Sequence, residues 1–345
     1  MRLTLTRPAA PSAGRTVSVV IPCYNYARYL PQAVLSAVSQ SITTEVIIID
    51  DCSTDDSTDV AARLAAQHAE VRLVRNETNL GHIATFNKGL RLAEGDFVVL
   101  LSADDMLAPG SLARAVGLFE RFPRVGMVYG YAPRFEDEPP PGWNTGTSTV
   151  WRGHEWLDRL CRRGDNVVLS PEAILRTSLM RELGDYDERT PQASDMLMWM
   201  RAAMRADVGR VNAVQAYYRT HPRQMHLTLF AGLSTDMRSR AALYRYHFGN
   251  GGEGSHDRRA TSRQEHGLAS IAREASWRAA LSWAEGDDET AGEFAKLALE
   301  ASPGRRRSAA LQLGRAMAQR AGGLVRTLYQ AKWNVKSRIW RWYGM

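Results

Sequence analysis

Two apolar runs in this chain stop abruptly at polar, turn-forming residues. Residues 17–25 read Val-Ser-Val-Val-Ile-Pro-Cys-Tyr-Asn, and residues 46–58 read Val-Ile-Ile-Ile-Asp-Asp-Cys-Ser-Thr-Asp-Asp-Ser-Thr. An unbroken apolar run, as opposed to an alternating one, is what a parallel strand covered on both faces requires. Ligands of open α/β sheets bind off the C-terminal edge of the strands, so Pro22 to Asn25 and Asp50 to Ser53 are expected to line one crevice. Further strand-like runs at 71–75, 97–101 and 125–131 alternate with helix-like stretches near 28–40, 56–68, 84–93 and 110–121. That alternation predicts an α/β fold, a mostly parallel sheet with helices on both faces.

The 345 residues suffice for one large α/β domain and an appendage. Three cysteines, Cys23, Cys52 and Cys161, show no C-x-x-C spacing, which argues against a disulfide framework or structural zinc and for a reducing compartment. Nowhere do eighteen apolar residues run together, and the N-terminus lacks a signal-peptide core. A cytoplasmic protein is expected. The net charge of +7 is unevenly placed: residues 301–345 hold ten Lys and Arg and no acid, leaving 34 basic residues against all 37 acidic ones elsewhere. A basic tail on a slightly acidic body points to an anionic partner surface.

Residues 136–146, with Pro139, Pro140, Pro141 and Gly142, exclude helix or central strand and read as a mobile loop. A second organised block runs from Trp151 to His221. Beyond Leu227 the chain becomes rich in Ala, Arg and Leu, with a polar linker at 249–262. Trp277 to Pro303 reads as one helical hairpin of tetratricopeptide style, too short for a solenoid. The expected division is a catalytic domain at 16–226, with halves 16–131 and 151–226, and an α-helical region at 227–345.

Several clusters carry chemistry. Asp51 at a strand edge could accept hydrogen bonds from a nucleobase or ribose, or cap the helix starting near Asp55. In Asn79-Leu80-Gly81 and Asn87-Lys88-Gly89 the glycines allow positive φ or close backbone approach, or cap a helix. The run Phe97 to Leu101 ends in Ser102-Ala103-Asp104-Asp105, and a carboxylate there could hold a divalent cation beside a leaving diphosphate. Asp105 could instead cap the next turn. Asp195, after Ser194, fits a general base or the N-cap of a helix from Met196 to Arg205. His221 closes Tyr217-Tyr218-Arg219-Thr220-His221, and imidazole suits Mn²⁺ better than Mg²⁺.

These motifs, in this order, resemble the family 2 glycosyltransferases, and the resemblance covers roughly Thr16 to His226. It is carried by Pro22, Tyr24, Asn25, Asp50, Asp51, Ser53 and Asp55, by both Asn-x-Gly elements, by the acidic stretch before Leu107 and Pro109, by Gly184-Asp185-Tyr186-Asp187 before Asp195, and by Tyr-Arg-x-His. It implies a GT-A type fold and inverting transfer of a sugar from a nucleotide sugar, UDP-linked, to an acceptor hydroxyl. Asp195 is then the base. Asp104 and His221 bind Mn²⁺ or Mg²⁺, and Pro22, Tyr24, Asn25, Asp51, Asn79, Gly81, Asn87 and Ala103 form the nucleotide site. Asp105, Ser102 and Arg219 are secondary candidates, with Arg219, Arg223 and His226 facing phosphates in a closing loop. Ser102 and Ser194 stand where the family usually has acids, which leaves open a catalytically degenerate, nucleotide-binding scaffold.

A sugar-1-phosphate nucleotidyltransferase would share the sheet but need a Gly-rich basic loop after the first strand. A dinucleotide oxidoreductase would need G-x-G-x-x-G there. Neither is present. At the tail, Trp333, Lys336, Trp340 and Tyr343 fall on one helix face suited to the inner membrane surface, or pack inward. Nucleic acid is disfavoured because no recognition motif accompanies the charge. The acceptor is expected to be a carbohydrate, a small molecule or, as the tail suggests, a lipid-linked glycan.

Overall fold

The apolar runs are parallel strands, and their polar ends share one edge. The computed structural model describes residues 14–225 and 232–343, with side chains described as far as residue 335. Strands β1 (Thr16–Cys23), β2 (Thr43–Asp50), β3 (Val71–Arg75) and β4 (Phe97–Leu100) lie in the order β3-β2-β1-β4, all parallel. The sheet continues through β9 (Ile174–Arg176), β6 (Val125–Tyr131), β10 (Asp207–Val214) and β8 (Asn144–Trp151). β9 is antiparallel to both of its neighbours and β8 to β10, so this is a mixed, mostly parallel eight-stranded sheet. A smaller sheet orders β5 (Met106–Leu107), β11 (Ala216–Arg219) and β7 (Arg134–Phe135).

Helices α1 (Leu30–Val38), α2 (Ser57–Gln67), α3 (His82–Arg91), α4 (Ser111–Arg121), α5 (Gly153–Arg163), α6 (Thr177–Leu183) and α7 (Ser194–Arg205) connect the strands. Val19, Ile21, Val46 and Ile48 bury one sheet face against Leu30, Ala33 and Val34 of α1, while Val20, Ile47 and Ile49 are buried on the other face. There α3 comes very close. A Cβ on Gly89 would lie 2.3 Å from Val20 Cγ1, so this glycine of the second Asn-x-Gly element is required by packing.

The loop expected at 136–146 ends early. Asn144 to Gly146 already belong to β8, at the sheet edge. Between the pairs Ser148↔Val211 and Asn144↔Ala213, β8 carries extra residues, and Gly146 absorbs the bulge at φ +69°. An edge position with a glycine bulge tolerates what a central strand would not.

The chain forms two compact units. One comprises the chain up to Trp156 with residues 168–224, and the other comprises residues 157–167 with everything from Met225 onward. The second holds α8 (Leu233–Phe248), α9 (Ala260–Glu285), α10 (Asp288–Ala301) and α11 (Arg305–Tyr343). Residues 157–167 belong with these helices because buried arginines need their carboxylates. Arg263 lies between Asp158 (2.8 Å) and Asp257 (2.8 Å), and Arg240 between Asp165 (3.1 Å) and Asp236 (2.7 Å). The expected hairpin is α9–α10, turned by Gly286 at φ +84° and capped by Asp287, whose side chain accepts from Thr290 N. α9 begins at Ala260, within the expected linker. Among the described residues no helix is long and apolar enough to cross a membrane.

Candidate functional site

Beyond β1 and β2 the backbone is held in an unusual state. Asn25 (φ +59°) and Cys52 (φ +61°) are the only non-glycine residues at positive φ among the described residues, and such strain concentrates at functional rims. Asn25 Oδ1 accepts from Thr54 N (2.8 Å) and Asp55 N (3.2 Å), and Asn25 N donates to Ser53 Oγ (3.0 Å). The two loops therefore form one rim, with Tyr24 exposed upon it. Asp50 and Asp55 steady the start of α2, accepting from Thr58 Oγ1 (2.7 Å) and Ser57 N (2.9 Å).

Asp51 is not the helix cap. Its buried carboxylate orders the next loop, Oδ1 accepting from Asn76 Nδ2 (2.7 Å) and Leu80 N (2.8 Å), Oδ2 from Gly81 N (3.0 Å). Asn79 Oδ1 also accepts from Gly81 N (3.0 Å), and Gly81 needs its φ of +83° to open α3. Asn87 is engaged by backbone across the fold. Its Nδ2 donates to Tyr186 O (2.9 Å) and its Oδ1 accepts from Tyr186 N (2.7 Å), so both ends of the amide clamp α3 to the 184–187 turn. Ala103 packs its side chain into the core and offers only backbone to the crevice.

The acidic motif meets β11 and its sequel. Asp104 Oδ2 lies 3.0 Å from His221 Nε2, both side chains nearly buried. Asp105 does not cap the following turn: its Oδ1 accepts from Arg219 N (2.8 Å), pinning β11. Burial first, and the charge of Asp104 second, push the Asp105 carboxyl well above the usual carboxylate range. The Arg219 guanidinium donates to the carbonyls of Asp104 (2.8 Å) and Glu136 (2.9 Å) and to Gln32 Oε1, and it lies over the rings of Tyr29 and Phe135. These contacts hold the Arg219 guanidinium between the acidic motif and residues 136–137. His226 lies outside the described residues.

Among the described residues no group of three or more His, Cys, Asp or Glu is gathered around a metal position. Two donors nonetheless suit one. Asp104 Oδ2 and His221 Nε2 now meet directly across 3.0 Å, so a cation held by both would take the place of the proton between them. Beside them Asp105 Oδ2 is buried without a hydrogen-bond partner. A small oxygen-seeking cation whose remaining positions are filled by phosphate and water fits this donor set.

Asp195 sits in the first turn of α7, whose N-cap is Ala193, so it is not itself the cap; its Oδ1 accepts from Met196 N (2.6 Å). Burial raises the pKa of the Tyr218 phenol most, and the charges of Asp105, Asp104 and Asp195 act on it in the same direction. Tyr26 and Tyr29 pack on the His221 ring at 5.7 and 4.8 Å between centroids. Sequence reasoning did not assign these three tyrosines, although Tyr26 and Tyr29 directly follow the rim and Tyr218 lies inside the Tyr-Arg-x-His run. A cavity of about 540 Å³ adjoins the clamp, lined by Leu80, Lys88, Arg91, Asp187, Arg189 and Arg201 among others.

Residues 18–183 match the family described as Glycosyl transferase family 2. The chain carries a family 2 glycosyl transferase domain. An uncharacterized glycosyltransferase of Nostoc sp. is 39% identical over 114 residues, 33% of this chain and 35% of that protein. An uncharacterized Mycobacterium tuberculosis protein is 30% identical over 208 residues, 56% of this chain and 63% of its own length. The matches thus span less than two thirds of these relatives. Among solved structures, Staphylococcus aureus TarS 1–349 with UDP-GlcNAc superposes with a TM-score of 0.62 at 19% identity, covering 92% of each chain. The mannosyltransferase PcManGT of Pyrobaculum calidifontis, in complex with GDP-Man and Mn²⁺, does so at 0.58 and 20% identity, covering 100% of this chain and 92% of its own. The transferase domain therefore has the GT-A fold.

Proposed function

We propose that this chain transfers a sugar from a nucleotide sugar, UDP-linked, to an acceptor hydroxyl with inversion at the anomeric carbon. The observation that carries this reading is the contact of Asp104 with His221, backed by the bond of Asp105 to β11, in the domain whose β1 and β2 loops form the rim. The rim, with Pro22, Tyr24, Asn25, Asp51, Asn79, Gly81 and the backbone of Ala103, takes the nucleoside. Asp104 and His221 would hold Mn²⁺ or Mg²⁺, which when bound neutralises charge developing on the departing diphosphate. Asp195, fixed by the backbone of α7, removes the acceptor proton as that oxygen attacks. Arg219 and Asp105 hold β11 against the acidic motif and so keep His221 facing Asp104. We assign the acceptor to the lipid-linked glycans, because the basic region from 301 onward suits an anionic membrane surface.

Asp195→Asn keeps the shape and removes the base. Its turnover should fall on the order of 10²- to 10⁴-fold while the Kd for nucleoside diphosphate stays unchanged. Release of nucleoside diphosphate in the presence of a panel of acceptors measures this. Undiminished turnover would sink the base assignment, and nucleotide binding without turnover in the unaltered chain would favour the scaffold suggested by Ser102 and Ser194.

A further inference from the structure

We infer that the second half of α11 is a docking face for an anionic lipid surface. The helix changes direction at Ala321, whose backbone leaves the helical region (φ −148°, ψ 51°), followed by Gly322 and Gly323. Beyond that kink one side of the helix is occupied within its own unit. Val325 and Tyr329 are buried, Tyr329 Oη donates to Glu274 Oε1 of α9 (3.0 Å), and Lys332 Nζ donates to Glu274 Oε2 (2.6 Å).

The other side carries Leu324, Leu328, Ala331 and Val335. Their spacing of four, three and four residues places them within a sector of about 60°. Leu324 is 52%, Leu328 41% and Val335 57% exposed. Half of the exposed large apolar side chains of the described residues, these three with Leu313 and Trp333, stand on this one helix. An apolar stripe held in water along a helix is unfavourable unless something covers it.

Charge selects the occupant. The ten basic residues between 301 and 345 have no acidic residue among them, and Arg305, Arg306 and Arg320 are exposed. A second copy laid on this face would bring two all-basic segments together. A nucleic-acid backbone would satisfy the charge and leave the leucines wet. An anionic bilayer accepts both, the arginines among head groups and the stripe at the acyl boundary. The sequence then adds Trp340, Trp342 and Tyr343, residues favoured at that depth.

The test is flotation of the full chain with phosphatidylcholine vesicles and with vesicles containing 30% phosphatidylglycerol, alongside a Leu324→Ser/Leu328→Ser variant and an Arg320→Gln variant. Every altered side chain is exposed, and circular dichroism checks that the fold is kept. The chain should float with the anionic vesicles only. The double serine variant should lose at least tenfold in partitioning at any salt, and Arg320→Gln should lose less and only at low salt. No flotation with anionic vesicles would overturn the inference, as would equal partitioning of the serine variant. A dimer dispersed by the serine substitutions without vesicle binding, or capture of RNA in place of vesicles, would overturn it too.

Discussion

Replacing Asn87 by alanine separates a clamp from a ligand contact. The Asn87 amide makes two short hydrogen bonds to the backbone of Tyr186, and both residues are buried. Alanine leaves the Tyr186 N–H and C=O without partners in a place that water does not freely reach. An abandoned buried polar group costs about 1–3 kcal/mol, so the pair should cost about 2–6 kcal/mol. With a urea slope of roughly 3 kcal/mol/M, the unfolding midpoint of the transferase unit should drop by about 1 M. Nucleoside diphosphate binding, measured below that transition, should weaken less than tenfold, since the Asn87 amide is engaged at both ends by Tyr186. Turnover should fall further, because the 184–187 turn precedes Asp195. An unchanged midpoint together with lost nucleotide binding would refute the clamp and return Asn87 to the nucleotide site.

Glu172 is buried, and burial pushes its carboxyl up to about 8 from an ordinary 4.5. Between those values the folded chain holds a proton that the unfolded chain has released, so this residue lowers stability as pH rises through the window, with the full loss above about pH 8. Glu172→Gln should match the parent near pH 4.5 and exceed it by a few kcal/mol, in order of magnitude, at pH 9; parallel urea midpoints across the range would refute this. Two Gly→Ala changes should have opposite signs. At Gly89 the new methyl meets Val20 Cγ1 at 2.3 Å and should cost about 1–3 kcal/mol, whereas at Gly292 of α10, with nothing within 4 Å, it should add about 0.5–1 kcal/mol. Thermal unfolding of both variants decides it.

The strands at the binding edge were legible because Val19 to Ile21 and Val46 to Ile49 are apolar on both faces, which only a covered parallel strand explains. β8 was hidden behind Pro139 to Gly142 and interrupted by Gly146, and three-residue β9 is too short to show a period. The placement of residues 157–167 with the C-terminal helices depends on Arg263 and Arg240 reaching Asp158 and Asp165, pairings far apart in sequence. In the site, Asp104 Oδ2 and His221 Nε2 stand 3.0 Å apart. The backbone contacts of Asn87, Asp105 and Arg219 were not legible for a common reason: an amide, a carboxyl or a guanidinium serves a backbone group as readily as a ligand, and the partners lie far away in sequence. The tail face read around Trp340 and Tyr343 involves side chains outside the described residues.

The most direct test of a cation-assisted nucleotide-sugar site is calorimetric titration of UDP- and GDP-sugars, with and without Mn²⁺, into the unaltered chain and into Asp104→Asn. One nucleotide should bind only with Mn²⁺, and its affinity should fall at least tenfold in the variant. Failure of every nucleotide to bind, or equal Mn²⁺-dependent binding by Asp104→Asn, would contradict the site as described.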